Sequence, residues 1–103
     1  MIRSKRFEVT ILAIAISTFA APAFAYTGQK YASAATVTIT QARKIALRAY
    51  PGKITDEELE KEGGGSGLRY SFDVAGPKGV REVGVDARSG KLLENSNEGP
   101  HPD

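Results

Sequence analysis

The 103-residue sequence has no cysteine and no tryptophan, and it has one histidine and one methionine. Without cysteine there is no disulfide scaffold, no cysteine zinc site, no thiol nucleophile and no iron–sulfur centre. The single histidine, His101, is third from the end of the chain, which disfavours a Ser-His-Asp enzyme. Ser66, Ser71 and Ser89 have no histidine or lysine base that the sequence sets beside them. A run of lysine and arginine is also missing. Charged residues nevertheless make up 25% and hydrophobic residues 41% of the chain, the balance of a globular domain rather than of a disordered one.

The apolar residues are unevenly spread. Arg3, Lys5 and Arg6 precede a 13-residue stretch, Val9 to Ala21, broken only by Thr10, Ser17 and Thr18. A membrane-spanning helix needs roughly 20 residues. Ala23-Phe24-Ala25 fits a small-x-small cleavage site, so residues 1–25 are expected to be a secretory signal, with Tyr26 as the new terminus. No stable membrane anchor is expected after cleavage, and the expected location is periplasmic or secreted. The leader would remove three basic residues and one acid from totals of 14 and 12, leaving 11 of each. A neutral mature chain gives no electrostatic case for nucleic acid.

Residues 26–37 are small and polar and are expected to form a flexible linker. Residues 96–103, with Gly99, Pro100 and Pro102, are expected to be a disordered tail. The core must come from residues 38–95. Its first element is predicted as a helix from Gln41 to Tyr50, capped by Thr40. Ala42, Ile45, Ala46 and Ala49 form its apolar stripe, and Pro51-Gly52 ends it. The segment from Lys53 to Glu62 allows two readings. Thr55-Asp56-Glu57-Glu58 has the form of a helix capping box and Gly63 of a stop. Leu59 is its one apolar residue beyond Asp56, however, so a helix there would bury almost nothing, and a strand from Lys53 to Glu60 is the alternative.

Beyond Gly63 the pattern is simpler. Leu68, Tyr70, Phe72 and Val74 alternate with polar residues, as in a half-buried strand. Gly76-Pro77-Lys78-Gly79 is a turn, Arg81 to Asp86 a second strand, Ala87-Arg88-Ser89-Gly90 another turn, and Lys91 to Glu94 a short last strand. Loops this short impose antiparallel pairing. The expected fold is α+β, with one N-terminal helix packed on a three- to four-stranded antiparallel sheet.

Three segments together resemble the PepSY family, found in peptidase propeptides and small secreted bacterial proteins. They are Thr40-Gln41-Ala42 through Tyr50-Pro51-Gly52, then Leu59 with Tyr70-Ser71-Phe72-Asp73-Val74, then Glu82-Val83-Gly84-Val85-Asp86-Ala87-Arg88-Ser89-Gly90-Lys91-Leu92-Leu93. The resemblance covers residues 38–95 and favours the strand reading of residues 53–60. It implies no catalytic residues, no cofactor and a protein partner, a peptidase foremost. The sequence carries no peptidase of its own, so inhibition or regulation in trans is the expected role.

One helix covers one face of such a sheet. The other face, or a free strand edge, is the expected partner surface, with Arg69, Ser71, Asp73, Glu82 and Gly84 as candidates. Asp56, Glu57, Glu58, Glu60 and Glu62 lack the spacing of a calcium loop and are expected to be a solvated face rather than a metal site. A small periplasmic ligand- or metal-binding protein is the alternative function, resting on that acidic segment. Gly63 to Gly67 lacks the Gly-Lys-Ser/Thr of a phosphate loop.

Overall fold

In the computed structural model, which describes residues 25–98, a 310 helix (Gln29–Ala34) precedes helix α1 (Ile39–Ala49). Strands β1 (Lys53–Lys61), β2 (Leu68–Gly76), β3 (Gly79–Asp86) and β4 (Leu92–Asn97) follow in an antiparallel sheet of order β1-β2-β3-β4. The α+β architecture expected from the sequence is the one observed.

Helix α1 begins two residues earlier than expected. The cap is Thr38, not Thr40: the Gln41 amide donates to the Thr38 hydroxyl (3.1 Å), and the Gln41 side chain accepts from the Thr38 amide (2.9 Å). A threonine followed three residues on by glutamine satisfies two orphan amides at once, which a cap at Thr40 would not. Ala42 and Ala46 are fully buried against the sheet, with Ile45 and Ala49 beside them. Small residues let the helix axis approach closely. The aromatic volume comes from the sheet, where Tyr70, Phe72, Val74, Val83 and Val85 fill the core from β2 and β3.

Residues 53–61 are a strand, although their local signals favour a helix. Only pairing with β2 gives Leu59 a core position, and it is 1% exposed. Residues 26–37, expected as a linker, instead strap the sheet. Thr27 bridges to Glu58 in parallel, the Leu59 amide donates to the Thr27 carbonyl (2.8 Å), and the Thr36 and Val37 amides both donate to Ala87. The alanine-rich sequence misses this because the anchors are backbone groups and the two rings of Tyr26 and Tyr31, which pack on the core. The expected tail also starts too early at residue 96. Ser96 and Asn97 belong to β4, and the Glu98 amide donates to Val80 (3.0 Å). The proposed leader up to residue 24, and residues 99–103, lie outside the described residues. Among the described residues no helix is long and apolar enough to cross a membrane.

Candidate partner-binding face

Two segments that carry the family resemblance prove to hold the ends of the sheet. At one end the Tyr50 hydroxyl donates to the Gly79 carbonyl (2.8 Å) and accepts from the Lys78 amide (2.8 Å), clasping the β2–β3 turn. A side chain at Gly76 would run into the Tyr50 ring at 2.6 Å. At the other end Asp86, 1% exposed, accepts from the amides of Ser66, Arg88 and Ser89 and from the Ser89 hydroxyl. Burial alone would raise its pKa. The hydrogen bonds from Ser66 and Ser89 outweigh that and hold it well below the usual carboxylate range. Asp86 thus ties the Gly63–Gly67 loop to the β3–β4 turn, and its charge is spent on structure.

The face of the sheet away from α1 has a different chemistry. A bulge at Thr55 sets it up. Ile54 pairs with Val74, but Asp56 pairs with Asp73, so β1 carries one extra residue. Ile54 therefore packs on the core, while beyond the bulge Glu57 and Leu59 turn to the helix side. Asp56, Glu58 and Glu60 turn to the open side, with Glu62 just past the strand end. Without the extra residue these acids would point into the core. Glu57, alone among the acids of β1, reaches the helix and pairs with Arg43 through both its oxygens; this bond raises the Arg43 pKa.

The five candidate residues do share this open face. Across it, Ser71 pairs with Gly84 and Asp73 with Glu82. Exposure separates them. Arg69 is 8% exposed, Ser71 is 7% exposed and Gly84 is buried, so these three present little side-chain surface. The Arg69 guanidinium lies across Gly84, where a Cβ would come within 3.2 Å of Nη1. It donates to Glu94 (3.2 Å) and to the Gly63 carbonyl (3.2 Å). Ser71 donates to Glu60 (2.7 Å). Asp73 and Glu82 remain accessible.

They are joined by Glu98, which sequence analysis had placed in the tail. One carboxylate oxygen from each of Asp73, Glu82 and Glu98 falls within 4.8 Å of the others. With Asp56, Glu58, Glu60 and Glu62 they line a groove of about 210 Å³. Burial, together with hydrogen bonding and repulsion from Glu98, pushes Asp73 up to about 6. Burial, with the charge of Glu94 and contact with Glu98, pushes Glu82 up to about 7. Glu58 is raised by burial and by its neighbours Glu60 and Asp56. The acidic segment is therefore not one solvated face: Glu57 turns to the helix and pairs with Arg43, while Asp56, Glu58, Glu60 and Glu62 form one wall of a larger acidic groove. The available signal was the period of two in Asp56, Glu58, Glu60 and Glu62.

The sequence model of the PepSY family, described as the peptidase propeptide and YPEB domain, matches residues 36–95. The chain belongs to the PepSY family. No curated protein and no solved structure gives a match. The PepSY match spans α1 and β1 to β3 and ends within β4. It therefore includes both clasps, at Tyr50 and Asp86, and most of the acidic face, but Glu98 lies beyond it.

Proposed function

We propose that this chain is a non-enzymatic module, secreted or periplasmic, that binds a protein partner and inhibits or regulates it in trans, a peptidase being the first candidate. The match to a peptidase propeptide family over residues 36–95 carries this reading. The architecture is compatible with it: a sheet with one face packed and the other uncovered is a surface for a partner. Affinity capture with crosslinking in envelope extract of the native host tests it. The expected result is enrichment of a peptidase whose purified form loses activity when the pure chain is added. Enrichment without any change in peptidase activity or activation would sink the regulatory role.

A second reading, a small ligand- or metal-binding protein, has the convergence of Asp73, Glu82 and Glu98 behind it. Three carboxylates are fewer oxygen ligands than calcium usually takes. Melting temperature against calcium concentration separates the two readings, since a bound ion raises it by mass action.

A further inference from the structure

We propose that the outer edge of β1 is a strand-addition site and that residues 26–35 are its built-in occupant, so that a partner gains the edge by displacing this strap with an extended segment of its own. This inference rests on the protein-binding reading above and adds the surface, the mode of docking and an autoinhibitory contact. The Leu59 amide fixes which side of β1 is the edge. It donates to Thr27 (2.8 Å), so it points away from β2. The backbone groups of Glu57 and Lys61 face the same way, by the alternation of an antiparallel ladder. A row of such groups is a template for another strand. The PepSY match begins at residue 36, so the strap over this edge lies outside the matched domain.

The two ends of the strap are held differently. At its C-terminal end the Thr36 and Val37 amides both donate to Ala87 (3.0 and 2.8 Å), the Val37 carbonyl accepts from the buried Tyr70, and Arg88 donates to the Ala34 carbonyl (3.2 Å). At its N-terminal end one backbone hydrogen bond, from Leu59 to Thr27, joins it to β1. Beyond that bond the two segments diverge around a cleft of about 500 Å³ between residues 25–27 and 54–57. Between the ends, no residue of the 310 helix is buried. Tyr26 and Tyr31 rest on the core while staying partly exposed. A segment with so few buried contacts opens locally, without the rest of the fold.

The strap also shows what the edge accepts. Tyr26-Thr27-Gly28 carries no charged side chain and bridges to β1 in parallel. Gly28, at φ 84°, crosses so close that an added Cβ would lie 1.7 Å from the Leu59 carbonyl oxygen. A displacing segment therefore runs parallel to β1 and sets a glycine beside Leu59. It carries no acid towards Asp56, Glu58 and Glu60, which would repel one.

The test uses the full-length chain, its Gly28→Val variant and a synthetic peptide of residues 25–35 with a blocked N-terminus. Valine at this position cannot seat the strap, and a cooperative melt verifies that the rest of the variant is folded. The expected result is one-to-one binding of the peptide to the variant, about tenfold or more tighter than to the wild type, whose strap-open fraction alone is competent. A peptide carrying the same Gly28→Val change should bind neither chain. Amide exchange of the wild type gives a second reading that needs no variant. The Leu59 amide should exchange about tenfold or more faster than the Ala87 amide, which donates to Leu68 (2.8 Å), and by a local opening that dilute denaturant leaves unchanged. Equal affinity of the two chains for the peptide, or no binding to the variant, overturns the site. Exchange at Leu59 as slow as at Ala87 overturns it too, because the strap is then a fixed part of the fold. A wild-type dimer that the peptide dissolves overturns the contact within one chain in favour of strap exchange between two copies. If both expected results hold and no peptidase responds to the chain, the edge site stands and the peptidase reading falls.

Discussion

The two faces of the sheet are built from the same strands and follow opposite rules. On the helix side Tyr70, Phe72, Val74, Val83 and Val85 are almost fully buried, and the Tyr70 hydroxyl is satisfied by Val37 (2.7 Å). On the open side their immediate neighbours in sequence are Arg69, Ser71, Asp73, Glu82 and Gly84. Side-chain alternation lets a 9-residue strand such as β2 serve both sides, so long as the register is fixed. Here the register is held at the strand ends, by Tyr50 at one hairpin turn and by Asp86, the last residue of β3, at the other. The packed face specifies the fold, the clasps hold the register, and the open face is left to carry unbalanced charge that contributes little to stability.

If that division holds, the largest loss should come from the packed face. Phe72→Ala is expected to cost about 3–5 kcal/mol by removing a fully buried ring. For a domain this small that is much of the total stability, and chemical denaturation measures it. A cooperative melt near that of the wild type would mean that the faces are reversed. Asp86→Ala comes next, at about 1–3 kcal/mol, because it removes the buried carboxylate to which the amides of Ser66, Arg88 and Ser89 donate. The melt of this variant should also lose the acid sensitivity that Asp86 confers. Adjacent residues of β1 give a smaller and sharper contrast. Glu57→Gln breaks the pair with Arg43 and should cost about 1 kcal/mol, since both groups are partly screened by solvent. Glu58→Gln, one residue along on the open face, should be neutral or slightly stabilising. Equal effects at the two positions would contradict the bulge at Thr55.

The packed face was largely legible in the sequence, because alternation in Leu68-Arg69-Tyr70-Ser71-Phe72-Asp73-Val74 states which residues are in and which are out. The helix stripe was legible for the same reason. Its start was not, since Thr38 and Thr40 both suit a cap and the choice depends on Gln41 reaching back. The open face was legible in membership but not in exposure. Nothing local reveals that Arg69 folds down over Gly84, a contact between neighbouring strands, or that Glu98 returns beside Asp73. The Tyr26–Val37 strap escaped for a related reason. It is held by backbone bonds to Leu59 and Ala87, and composition says nothing of those.

The smallest expected effect is also the one that most directly tests the open face, because it appears as a dependence on pH. Asp73 and Glu82 hold protons more tightly in the folded chain, at about 6 and about 7, than the ordinary 3.8 and 4.5 of these side chains in the unfolded chain. Between about pH 4 and 7 the folded state therefore binds more protons, and stability falls as pH rises through that window. Asp86 acts in the opposite sense. Its folded pKa is lowered, so its contribution is present above about pH 4 and lost on acidification below it. Stability should peak near pH 4 and decline on both sides. Glu82→Gln removes one of the repelling charges and should flatten the neutral limb, raising stability at pH 8 by about 1 kcal/mol or less, because the group keeps contact with solvent. The acid limb should be unchanged, since Asp86 is untouched. Denaturation midpoints from pH 3 to pH 8 for both proteins give the answer. A neutral limb left unchanged by the substitution would place the excess protons elsewhere and would deny Glu82 its strained charge.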